Sequence, residues 1–67
     1  MIRITVNGEK MERAPGTTLG ALIESLDLAP GRVAVELDGE IIRSPEWAQT
    51  ALESGARIEI VQFLGGG

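Results

Sequence analysis

The chain has 67 residues, six basic against ten acidic side chains, a net charge of −4, and neither cysteine nor histidine. That excludes a disulfide framework, a zinc knuckle, a thiol nucleophile and a histidine-based triad, and it leaves no basic face for general nucleic-acid binding. A chain this short makes one domain and buries only about 60% of its unfolded surface, so function is expected on the surface or at a terminus rather than in a deep pocket.

Ile2, Ile4 and Val6 alternate with Arg3 and Thr5, which predicts a half-buried strand over 2–6. Asn7-Gly8 follows, a two-residue hairpin signal because both residue types tolerate positive φ. The return strand over 9–13 is charged, with Met11 as its core residue, and reads as a sheet edge. Ala14-Pro15-Gly16 is a turn, after which Thr17 or Thr18 caps a helix. Leu19, Leu22, Ile23 and Leu26 then fall at i, i+3, i+4 and i+7 and make one apolar stripe. Gly20 lies off that stripe and reads as a tolerated glycine, close packing being the alternative. Pro30-Gly31 ends the helical region.

Val33, Val35 and Leu37 alternate again, Asp38-Gly39 is a second hairpin signal, and a short strand follows over 40–42. Ser44-Pro45-Glu46 has the pattern of a helix start, with Ser44 as cap, and Trp47, Ala48, Ala51 and Leu52 are its expected inward side. Gly55 stops that segment, and Ile58 and Ile60 alternate with Arg57 and Glu59 in a last strand. No apolar run is long enough to span a bilayer, and the first residues lack the apolar core and cleavage site of a signal peptide, so a cytoplasmic setting is expected.

The first and last strands are the most apolar on one face and are therefore expected side by side in the middle of the sheet. The fold class is α+β: a β-grasp, ubiquitin-like arrangement, with a mixed five-stranded sheet, one main helix and a short helical segment. Residues 1–61 form the globular domain and 62–67 a flexible tail ending in Gly-Gly. The chain is expected to be a monomer when free, to touch neither membrane nor nucleic acid, and to bind no metal.

Gly65, Gly66 and Gly67 are the most unusual feature, because three consecutive glycines add nothing to a core and lose the most entropy on ordering. Composition leaves two readings open, a frayed or scarred end and a segment built for insertion into a partner. Without Cβ atoms such a segment passes a narrow channel, and from Gln62 to Gly67 it reaches roughly 20 Å when extended.

The chain resembles the ThiS family, the sulfur carriers of thiamin biosynthesis. The likeness runs nearly end to end. It is carried by the Asn7-Gly8 turn, Ala14-Pro15-Gly16-Thr17-Thr18-Leu19, Val35-Glu36-Leu37-Asp38-Gly39-Glu40, Ile42-Arg43-Ser44-Pro45-Glu46-Trp47, Leu52-Glu53-Ser54-Gly55 and the Gly66-Gly67 end. Ala56 stands where the family often carries an acid. The resemblance implies no catalytic side chain and no bound cofactor. It implies that the Gly67 carboxylate is adenylated with ATP by an E1-like enzyme (ThiF type). A persulfide from a sulfurtransferase or cysteine desulfurase then converts it to a thiocarboxylate, and the sulfur passes to thiazole synthase (ThiG type). Gly65 and Gly66 would enter the partner's active site.

Phe63 and Leu64 have two readings, cover for the end of the core or exposed anchors for the partner. Trp47 reads as core, Arg3, Arg43 and Arg57 as solvated charges. Glu36, Asp38 and Glu40 read equally as a solvated hairpin or as steering groups for a basic partner. Other outcomes for the same tail are sulfur transfer to molybdopterin, an amino acid or tRNA, or attachment to lysines as a protein modifier. In a plain interaction module the tail would be incidental.

Overall fold

The computed structural model describes residues 1–63. Strands β1 (Ile2–Val6) and β2 (Glu9–Arg13) are joined by Asn7-Gly8, whose φ values of 49° and 83° are the pair a tight hairpin turn demands. Helix α1 (Leu19–Ser25) comes next, then a short 3₁₀ turn at Pro30–Arg32. Strands β3 (Val33–Leu37) and β4 (Glu40–Ile42) form the second hairpin through Asp38 and Gly39, again both at positive φ. A 3₁₀ helix at Ser44–Gln49 leads to the last strand, β5 (Arg57–Gln62).

The strands form one sheet in the order β2-β1-β5-β3-β4. β1 and β5 are parallel neighbours, and every other pair is antiparallel. The expected mixed sheet, with the two most apolar strands adjacent, is therefore the observed one. Pleating sends Ile4, Val6, Val35 and Ile58 to one face, where they close a core with Leu19, Leu22 and Ile23 of α1. Thr18 caps the helix, its hydroxyl accepting from the Ala21 N–H at 3.1 Å. Trp47 is buried, and its indole N–H donates to the Ile42 carbonyl at 2.8 Å, tying the 3₁₀ helix to the end of β4.

Four expectations differ from the structure. Ser44 is not a cap: Arg43 is the residue before the 3₁₀ helix, and no side chain caps it. Ala48 and Ala51 are exposed rather than inward: Ala48 lies in a 3₁₀ helix that repeats every three residues and buries only Trp47, and Ala51 lies past that helix in an antiparallel bridge with Thr18. Gly20 is a close-packing position: a Cβ there would lie 3.3 Å from Ala48 Cα and N, so the backbones of α1 and the 3₁₀ helix touch across it. Gln62 belongs to β5, paired with Val33, so the strand runs one residue beyond the boundary expected at 61. Among the described residues, no helix is long and apolar enough to cross a membrane.

Candidate functional site

Of the tail, Leu64, Gly65, Gly66 and Gly67 lie outside the described residues, so the structure defines the site by where the chain leaves the sheet. β5 is the central strand, flanked by β1 and β3, and Phe63 follows directly from it. The Phe63 N–H donates to the Arg32 carbonyl at 2.8 Å, which extends the ladder beside β3 by one more bond. On the other flank the carboxamide of Asn7 bonds both backbone groups of Ile60. The C-terminal segment thus starts from the best-supported strand of the sheet.

Phe63 is 52% exposed, which removes the reading that it covers the core. It continues the outward parity of Arg57, Glu59 and Val61 on the sheet face opposite α1. Val61 (60% exposed) and Ile41 (72% exposed) lie on that face too, and the register sets Ala34 opposite Val61 and Glu36 opposite both Ile41 and Glu59. The open face is therefore a strip of apolar groups with two facing carboxylates at its middle. Sequence reasoning missed Ile41 and Val61. The signal was present as Ile41-Ile42 and Ile60-Val61, two places where strand alternation breaks and an apolar residue must point outward.

Nothing among the described residues forms a catalytic constellation. Among the described residues, no group of three or more Asp or Glu side chains is placed to hold a metal ion. Asp38 is engaged structurally: its Oδ1 accepts from the Arg57 N–H at 2.9 Å and its own N–H donates to the Arg57 carbonyl at 2.8 Å. The ion pair found among the described residues, Arg3 Nε to Glu12 Oε2 at 3.5 Å, is fully on the surface and contributes little. An open groove of about 500 Å³ between the β1–β2 turn, Leu26, Leu28 and Gln62 carries Glu9 as its single ionisable lining group.

The geometry is that of a ubiquitin-like β-grasp domain, with a glycine-ended segment leaving the central strand beside an exposed apolar face. The chain belongs to the ThiS family, whose model matches residues 4–67. The sulfur carrier protein ThiS of Escherichia coli (strain K12) is 30% identical over 66 residues, covering 98% of this chain and all of that protein. A thiazole synthase of Paramagnetospirillum magneticum is 36% identical over 66 residues, and there the chain spans 20% of the relative's length. The crystal structure of a thiamine biosynthesis protein (ThiS) from Geobacter metallireducens superposes with a TM-score of 0.83 at 30% identity, covering 98% of this chain and 100% of that one.

Proposed function

We propose that this chain is a sulfur carrier of thiamin biosynthesis, a protein cosubstrate that works through its terminal glycine. The observation that carries the reading is the family match through Gly67, glycines included. An ionised carboxylate is a poor acyl donor, because the group to be expelled is an oxide. A Gly67 carboxylate oxygen therefore attacks the α-phosphorus of ATP on an adenylating enzyme, pyrophosphate leaves, and an acyl-adenylate forms. The terminal sulfur of a donor persulfide attacks the acyl carbon and AMP departs. A thiol then cleaves the resulting sulfur–sulfur bond, forming a disulfide with the donor and leaving a thiocarboxylate on Gly67. That sulfur is given to thiazole synthase, and two relatives bearing that name, each holding a region like this chain, support the choice of acceptor. The setting is cytoplasmic, where ATP is supplied.

In this scheme the chain provides no acid, base or metal. It provides reach and recognition. Gly65 and Gly66 let the end pass a narrow channel, and Phe63, Leu64, Val61 and Ile41 dock on the partner.

The test is the intact mass after incubation with ATP, an adenylating enzyme and a sulfur donor. The expected result is a gain equal to exchange of one oxygen for sulfur, absent when Gly67 is deleted, while the deleted form keeps the melting temperature of the full chain. A mass gain that survives the deletion, or no gain with an enzyme active on a control carrier, overturns the reading. Recovery of Gly67 joined to lysines of other proteins would identify a modifier instead.

A further inference from the structure

We propose that Asn7 is a positioning residue for the transfer reaction. Its side chain clamps the backbone of Ile60 and so sets the direction in which β5 delivers the C-terminal segment. The role rests on the carrier reading above.

β1 stops at Val6, and its parallel ladder with β5 contains just Thr5 opposite Arg57 and Val6 opposite Ile58. The Asn7 N–H still donates to the Ile58 carbonyl at 2.9 Å, after which the backbone turns away through positive φ at Asn7 and Gly8. β5 runs on to Gln62, so Ile60 would have no partner on this flank. Asn7 supplies one. Its Oδ1 accepts from the Ile60 N–H at 2.7 Å, and its Nδ2 donates to the Ile60 carbonyl at 3.1 Å. One carboxamide thus imitates a further residue of β1. On the opposite flank Val35 and Val33 pair with Ile60 and Gln62, and Arg32 holds Phe63.

The hairpin turn does not by itself call for this residue. Glycine and aspartate also accept positive φ. Only a carboxamide of this length offers a donor and an acceptor in one plane to both groups of a strand residue, so asparagine at this position exceeds what the turn requires. The reacting carboxylate of the carrier scheme sits four residues past Phe63, up to roughly 14 Å away along an extended chain. Loosening at Ile60 shifts the point on β5 from which the chain is presented to a partner, and a displacement of about 1 Å caused far from a reacting centre is enough to slow chemistry severely.

Three variants separate aiming from folding. Asn7→Gly keeps the turn and removes the carboxamide. Asn7→Asp keeps shape and acceptor but loses the donor. Gly8→Ala strains the turn and leaves the carboxamide in place. Each is measured for amide hydrogen exchange at Ile60 and for steady-state sulfur loading with an adenylating enzyme, ATP and a sulfur donor. In both Asn7 variants the Ile60 amide is expected to exchange about ten-fold faster. Their kcat for loading falls about five-fold while KM stays within about two-fold, because the side chains of Ile41, Val61 and Phe63 that form the open face are all retained. Gly8→Ala is expected to lower the melting temperature and leave kcat unchanged. Wild-type kcat in Asn7→Gly, or an equal loss of kcat in Gly8→Ala, overturns the positioning role. If the wild-type chain itself takes up no sulfur beside a control carrier that does, the carrier reading falls and this role falls with it.

Discussion

At residue scale, Gly20 shows how a single missing methyl sets the distance between two elements. A helix interior favours alanine over glycine by about 1 kcal/mol. Here the Cβ would press on backbone atoms of Ala48 at 3.3 Å, and backbone cannot rotate aside as a side chain can. The two effects oppose each other, so Gly20→Ala is expected to change unfolding free energy by less than about 1 kcal/mol. Gly20→Val adds branched volume with no space for it and should cost about 2–3 kcal/mol. Urea denaturation of both variants checks this, and a neutral Gly20→Val would show that the contact is loose. The sequence pattern located Gly20 off the apolar stripe and could go no further, because what it faces comes from a segment nearly thirty positions away. Trp47 was legible as core for the opposite reason: it follows the local Ser-Pro-Glu helix-start pattern, and a domain this small needs the large side chains of its elements inside.

At the scale of elements, β5 is held at both ends by the first residue of a hairpin turn. Asn7 bonds Ile60 near the exit, and Asp38 bonds Arg57 at the start. Both turns were readable as Asn-Gly and Asp-Gly, since positive φ is a local demand. That each turn side chain also grips a strand distant in sequence was not readable, because it depends on sheet order. The same limit explains Ser44, whose Ser-Pro-Glu pattern fits a helix start although the segment closes as a 3₁₀ helix without a side-chain cap. It also explains Ala56, which is buried although no periodic pattern surrounds it. Its carbonyl accepts from the Thr5 N–H at 2.9 Å and leads β5 into the parallel pairing with β1. Asp38→Ala removes the bond to Arg57 and forces alanine to positive φ, and should cost about 2 kcal/mol by urea denaturation. Asp38→Asn retains both the acceptor and the tolerance of φ and should stay within about 0.5 kcal/mol of wild type. Equal losses in the two variants would mean that the charge, and not the hydrogen bond, is what matters there.

At the scale of the whole molecule, one sheet face is spent on the core and the other is left open, and the open face is the one that continues into Phe63. Glu36 and Glu59 sit opposite each other at its centre, and among the described residues neither pairs with a cation. Like charges facing across strands destabilise a sheet, so the free domain carries a small penalty at this spot. In a chain of net charge −4 the same pair adds to a field that draws in a basic surface. The two consequences have opposite signs, which makes them separable in one variant. Glu59→Gln is expected to stabilise the free domain by about 0.5 kcal/mol. On the carrier reading it is also expected to slow association with the proposed adenylating partner about three-fold at low salt, with the difference closing as salt screens the field. Stopped-flow association across a salt series, set beside urea denaturation of the free domain, reads both. A variant that is more stable and binds as fast as wild type at low salt would assign the acidic pair to solvation alone and leave docking to the apolar strip of Ile41, Val61 and Phe63. Slower association that is indifferent to salt would point to a lost direct contact rather than to steering.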